Sequence, residues 1–95
     1  MIGAEKDNEK IAVEIKTFGN SSFITALYEA FGKYIIYRNV LKIIQSERVL
    51  YLAVPESVYN RFFEETVIQK TVQEEKFKLV IYNQTIQKIT KWIES

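Results

Sequence analysis

The sequence predicts an α/β fold with a mixed sheet, one long crossover helix and short helices. Three features predict it: alternating apolar residues near the start, a long helix-periodic segment, and a continuous apolar run that ends at the single proline. Apolar residues make up 47% of the 95 residues and charged residues 26%, which is typical of a globular chain. At this length we expect one domain, residues 1–95.

The first predicted element is a β-hairpin. Its strands run from residue 2 to 6 and from residue 10 to 17, and Asp7-Asn8 forms a two-residue turn. Such a turn pairs Lys6 with Glu9, and the ladder then continues outward. We therefore expect Met1 opposite Glu14.

A long helix is predicted from about Ser22 to Ile44. Its apolar residues recur at helical spacing and form a stripe too wide for a surface helix, so it is expected to pack on the sheet. Asn20 or Ser21 is expected to be its N-cap, because these side chains accept hydrogen bonds from the free N–H groups of a first turn.

Residues 48–54 are continuously apolar and predict a central strand that Pro55 ends. Together with the second hairpin strand and the long helix, this strand predicts a right-handed βαβ unit with parallel strands. The remaining predicted elements are a short helix over residues 55–64 and a turn or helix over residues 66–74. Strands over residues 77–82 and 86–93 follow, joined at residues 83–85 as a hairpin or as two short adjoining strands.

Composition excludes several classes of function. The chain has no cysteine and no histidine, which removes thiol catalysis, disulfides, structural zinc and imidazole bases, so any metal must be held by oxygen. Thirteen basic and 12 acidic residues give a net charge of +1, so no strong overall field attracts nucleic acid or membrane. No apolar run approaches membrane-spanning length and the first residues are charged, which predicts a cytoplasmic protein without a membrane.

Glu14 and Lys16 are the candidate catalytic residues. The two-residue period of a strand directs both side chains to one face. In a metal-dependent nuclease, a carboxylate such as Glu14 binds Mg²⁺ or Mn²⁺, and a neighbouring ammonium stabilises the attacking water or the phosphate. Such a site needs a further acid, and Met1 stands where that acid is expected. Glu and Lys two positions apart on a strand more often belong to a solvent-exposed strand face than to an active site.

Lys33, Tyr37 and Arg38 are candidate DNA-binding residues on the long helix. A tyrosine beside cations can contact a phosphate, but a tyrosine at helical spacing is more often a core residue with its hydroxyl at the rim. A second basic and aromatic set lies on the last two predicted strands, where edge-strand lysines that discourage aggregation explain it equally well. Its members are Lys76, Lys78, Tyr82, Lys88, Lys91 and Trp92.

Four segments of the chain, in order, resemble the XisH family, whose members are also called fdxN element excision controlling factors. The segments are residues 4–16, from Ala-Glu-Lys-Asp-Asn through Val-Glu-Ile-Lys; residues 28–34, Tyr-Glu-Ala-Phe-Gly-Lys-Tyr, with Tyr37-Arg38; residues 48–55, Arg-Val-Leu-Tyr-Leu-Ala-Val-Pro; and Lys91-Trp92-Ile93. The resemblance covers essentially all of the chain. It implies a restriction-endonuclease-like core and a cytoplasmic cyanobacterial protein.

The resemblance also implies a role. Family members are associated with excision of a DNA element during heterocyst differentiation, a DNA recombination event, alongside a site-specific recombinase and a small companion protein of the XisI family. Glu14 and Lys16 carry over as site residues. Lys33 departs from the family, which often has glutamine there, and the segments expected before Met1 are an N-terminal helix, a first strand and an acidic stretch.

We therefore expect an accessory factor in DNA element excision, with a nuclease-like active site that lacks its first acid. One alternative is an active Mg²⁺- or Mn²⁺-dependent DNA endonuclease, completed by Glu5, by a partner chain or by residues encoded upstream. Another is a structural partner-binding protein. A sheet surface left bare by a missing helix exposes apolar area, which predicts a dimer or a hetero-complex.

Overall fold

In the computed structural model, residues 1–15 and 22–94 are described. Within them, five strands form one mixed sheet in the order β1-β2-β3-β4-β5, with three helices. The elements are β1 (Ile2–Lys6), β2 (Glu9–Ile15), α1 (Phe23–Ile43), β3 (Val49–Pro55), α2 (Glu56–Phe62), α3 (Thr66–Glu75), β4 (Lys78–Asn83) and β5 (Lys88–Glu94). The predicted α/β class is confirmed. The chain divides into two compact units, residues 1–52 and 53–95.

The first unit begins with the predicted hairpin. Asp7 and Asn8 have φ values of 51° and 67°, the left-handed conformation of the tight turns that match the twist of a hairpin. The strands pair from Ile2 opposite Val13 to Lys6 opposite Glu9. The predicted register is therefore confirmed, and β2 is described as far as Ile15.

The Arg48 side chain crosses this hairpin. Its Nη1 donates to the carbonyl oxygens of Ala4 at 3.1 Å and Ile11 at 2.8 Å, one on each strand. A Cβ placed on Gly3 would lie 3.0 Å from Arg48 Cζ. Because Gly3 has no side chain, the guanidinium of Arg48 can pack against the backbone at this position. Arg48 was predicted as the first residue of the central strand, but β3 begins at Val49.

Helix α1 occupies almost the predicted range, but its cap differs from the prediction. The Oγ of Ser22 accepts a hydrogen bond from the backbone N–H of Thr25 at 3.3 Å, so Ser22 is the N-cap. The predicted caps, Asn20 and Ser21, lie outside the described residues. The prediction was wrong because the helix begins at Phe23, later than the polar turn suggested.

The second unit begins at Ala53, within β3, and the residues of this strand from Leu50 to Pro55 are all buried, as expected of a central strand. Pro55 ends β3 and precedes α2, which begins at Glu56. Helix α3 ends at Glu75, and its C-cap residue Lys76 has a left-handed φ of 54°. Both short helices match their predicted ranges to within two residues.

The last two strands form an antiparallel hairpin, but its turn spans residues 84–87 rather than the predicted 83–85. The Oδ1 of Asn83 accepts hydrogen bonds from the N–H groups of Thr85 at 2.9 Å and Ile86 at 3.1 Å. This side-chain turn, closed by Gln87 at a φ of 53°, places Ile86 in the turn and starts β5 at Lys88.

The buried hydrophobic residues lie on α1, on the strands β2, β3 and β4, and on or next to the two helices of the second unit. In the first unit they are Ile11, Ala12, Leu27, Ala30, Phe31, Tyr34, Leu41, Leu50, Tyr51 and Leu52. In the second unit they are Ala53, Val54, Val58, Phe62, Phe63, Ile68, Val72, Phe77, Leu79, Val80 and Ile81. Across residues 1–15 and 22–94, no helix is long and apolar enough to span a membrane.

Candidate functional site

Glu14 is a shielded carboxylate on β2. Its side chain is 12% exposed, and its Oε2 has no hydrogen-bond partner among the described residues. The amino group of Met1 lies 3.4 Å from Oε2, within ion-pair distance but without hydrogen-bond geometry. The predicted position of Met1 opposite Glu14 is therefore confirmed.

Lys16, the second predicted catalytic residue, lies outside the described residues. Its arrangement relative to Glu14 stays a prediction. The described part of β2 ends at Ile15.

The other acids of the hairpin lie away from Glu14. Glu5 stands opposite Lys10, four positions along β1 from Met1, which is roughly 14 Å at the rise of an antiparallel strand. Asp7 lies in the turn, where its Oδ2 is 3.4 Å from Lys6 Nζ. Glu5 is therefore too far along the strand to share an ion with Glu14.

No group of three or more acidic, histidine or cysteine side chains that could hold a metal occurs within the described residues. Mg²⁺ takes about six oxygen ligands, several of them often water. With fewer than three such ligands near Glu14, the described residues do not make a complete metal site by themselves. A Mg²⁺ or Mn²⁺ site here needs ligands from elsewhere.

The three candidate DNA-binding residues do not share one face of α1. A helix turns 100° per residue, so Arg38 lies about 140° around the axis from Lys33. Lys33 is exposed and Tyr37 half-buried, whereas the guanidinium of Arg38 lies 5.6 Å from the ring centroid of Tyr34, a core residue. Their role in DNA binding stays a prediction, and the geometry places Lys33 and Tyr37 together, one turn apart.

The basic and aromatic set of the last strands is also divided. Lys91 Nζ lies 3.4 Å from the Tyr59 hydroxyl and 5.4 Å from its ring centroid. Trp92 is the next residue on β5 and points to the opposite face of the sheet. Lys91 and Trp92 therefore belong to different surfaces. Tyr59 was not singled out in the sequence, and no local pattern relates it to Lys91, 32 positions later.

The pKa of the Tyr82 phenol departs from its ordinary value. Burial raises the pKa of the Tyr82 phenol above 10.0, and a hydrogen bond with Gln84 opposes the shift. Gln84 lies in the turn that follows β4. Tyr82 and Gln84 therefore interact at the end of β4 where the chain turns toward β5.

The fold and the site define a small α/β protein whose mixed sheet carries a shielded carboxylate on its second strand. The family model described as XisH protein matches residues 1–90. The chain belongs to the XisH family. The family resemblance predicted from the sequence is confirmed.

Two solved structures are similar to this chain. An XisH family protein from Nostoc punctiforme PCC 73102 is 42% identical, with a TM-score of 0.88 over 97% of this chain and 73% of that one. A fdxN element excision controlling factor protein from Anabaena variabilis is 36% identical, with a TM-score of 0.88 over 97% of this chain and 72% of that one. A search of curated proteins found no match.

Proposed function

We propose that this chain is an accessory factor in the excision of a DNA element. The observation that carries the proposal is its similarity to the Anabaena variabilis protein, which is named an fdxN element excision controlling factor and is 36% identical over 97% of this chain. An accessory factor supports excision through its contacts with DNA and with other proteins, without cutting DNA itself. The proposed partners are a site-specific recombinase and a small companion protein of the XisI type.

The accessory role and the cleavage role make different demands on Glu14. An accessory factor needs no contact between this carboxylate and the reacting atoms, whereas a metal-dependent nuclease needs it as a ligand. Glu14→Gln keeps the size of the side chain and removes its charge. This substitution therefore tests the chemistry of the position with little change in packing.

The test is an excision assay in the source organism. Deleting the gene should abolish the junction product that amplification across the rejoined DNA detects, and the wild-type gene should restore it. The accessory role predicts that Glu14→Gln restores it equally well, as should the control Glu74→Gln on the exposed surface of α3, where Glu74 pairs with Lys70. Normal excision without the gene would refute the proposal.

A second candidate is a Mg²⁺- or Mn²⁺-dependent DNA endonuclease. The observation that favours it is the Oε2 of Glu14, a shielded charged oxygen without a hydrogen-bond partner among the described residues. The Met1 amino group, 3.4 Å from this oxygen, already supplies part of the opposing charge, and a bound cation would supply more. Further ligands would have to come from a partner chain or from residues beyond the described ones.

Two measurements on the purified protein test the endonuclease. Calorimetric titration with Mn²⁺ should show binding that Glu14→Gln weakens, and supercoiled plasmid should be nicked in Mn²⁺ by the wild type only. Glu74→Gln should behave as the wild type in both. Equal Mn²⁺ binding and equal nicking by the wild type and Glu14→Gln, with the proposed protein partners present, would exclude this candidate and leave the accessory role.

A further inference from the structure

Helix α1 is apolar on two opposite faces. One face is buried and includes Leu27 and Tyr34, which are 0% and 2% exposed. On the other face, Ile36 is 60%, Val40 40% and Ile43 80% exposed. The apolar width that the sequence showed thus comes from two separate stripes, of which one covers the core and the other lies open.

The open stripe forms a continuous patch. Val40 and Ile43 lie four and seven residues after Ile36, the spacing that keeps side chains on one helix face. Ile44, the C-cap residue, extends the patch and is 64% exposed. We call these four residues, Ile36, Val40, Ile43 and Ile44, the outer patch of α1.

Gly32 lies one turn before Ile36 and leaves a notch beside the outer patch. A Cβ placed on Gly32 would meet nothing within 4 Å, so the space above it is open. Small residues let a second helix approach the backbone closely. The nearby charged residues of this face, Glu29 and Lys33, are of opposite sign, so two copies of the face meet without net repulsion.

The area of the outer patch lies within the range of the largest apolar patch on a typical monomer. Its four aliphatic residues expose roughly 400 Å², in the range where patches on monomers are often functional. Two such patches facing each other would bury roughly 800 Å², and the flanking residues would bring the total to the roughly 1,000 Å² that a specific interface needs.

We propose that the outer patch of α1 is the interface of a homodimer in which two α1 helices pack antiparallel about a two-fold axis at Ile36. A two-fold interface requires one surface to be complementary to itself. Gly32 and Val40 lie at equal distances before and after Ile36, so an antiparallel pair brings the notch of each copy level with Val40 of the other. This inference is independent of the excision role.

A disulfide cross-link tests the axis directly. The chain has no cysteine, so Ile36→Cys introduces one thiol, which on a two-fold axis lies next to its own copy. Mild oxidation should then give a species of twice the 11.2 kDa chain mass. The control is Val67→Cys on α3, where Val67 is 59% exposed. Equal cross-linking of both variants, or none for Ile36→Cys, would overturn the proposal.

Light scattering tests the interface without a cross-link. The wild type should reach twice the chain mass as its concentration rises, and Ile36→Glu should weaken dimerisation at least about tenfold because it buries a charge at the axis. Val67→Glu should dimerise as the wild type does. A wild type that stays monomeric up to roughly 1 mM, or an Ile36→Glu variant that dimerises normally, would refute the homodimer.

Discussion

The hydroxyl of Tyr34 on α1 donates a hydrogen bond of 2.9 Å to the carbonyl oxygen of Leu50 on β3. Both residues belong to the core of the first unit, with 2% and 3% of their surface exposed. A buried phenol needs a partner for its polar atom, so this bond favours one alignment of α1 along β3.

Tyr34→Phe should lower the free energy of unfolding by about 1–2 kcal/mol, because it removes the bond and leaves the ring in place. Urea denaturation followed by circular dichroism measures the change. The control is Tyr28→Phe on the same helix, where the tyrosine is 53% exposed and the change should stay within about 0.5 kcal/mol. Equal losses for the two variants would contradict the assigned role of the bond.

Gly3→Ala should destabilise the hairpin by about 1 kcal/mol, because the new methyl group would lie 3.0 Å from Arg48 Cζ while two hydrogen bonds hold that guanidinium. A double-mutant cycle measured by urea denaturation separates this clash from other effects. In the Arg48→Ala background, the cost of Gly3→Ala should shrink. Additive costs would show that the two residues are not coupled.

Asn8→Ala should cost about 1 kcal/mol, because Asn8 has a φ of 67° and alanine adopts this left-handed conformation less readily than asparagine. Thermal unfolding measures the loss. Asn8→Gly is the matched control and should keep the stability of the wild type, since glycine has no Cβ. If alanine and glycine gave the same stability, the turn would carry no conformational constraint at this position.

The Tyr82 phenol should make the protein less stable in alkali. Burial raises its pKa in the folded state above the 10.0 of an exposed phenol. The folded state therefore holds the proton more tightly, and its stabilisation is complete below pH 10.0 and lost as pH rises through the raised pKa.

Urea denaturation at a series of pH values from about 9 upwards tests this effect. The wild type should lose stability with pH more steeply than Tyr82→Phe, and Tyr28→Phe should follow the wild type. Parallel curves for the wild type and Tyr82→Phe would refute the effect.

Local pattern predicted most of the fold. The register of the first hairpin followed from two turn residues, and the long helix followed from apolar spacing, because both depend on interactions between neighbours in sequence. The predicted bounds of the last turn and the predicted N-cap were wrong because each depends on which nearby backbone N–H group a side chain binds. Asn83 accepts two backbone hydrogen bonds and lengthens the last turn, and Ser22 caps α1 later than the polar cluster suggested.

The sequence by itself determined the α/β class and the position opposite Glu14, because apolar spacing and strand pairing are local properties, and its motifs identified the family. Only the tertiary structure decided that Arg48 crosses the hairpin, that Arg38 turns toward Tyr34 while Lys33 stays exposed, and that one apolar stripe of α1 lies open. These outcomes depend on which surfaces of distant segments meet. A helix that is apolar on two faces has the same sequence period whether one face or both are covered.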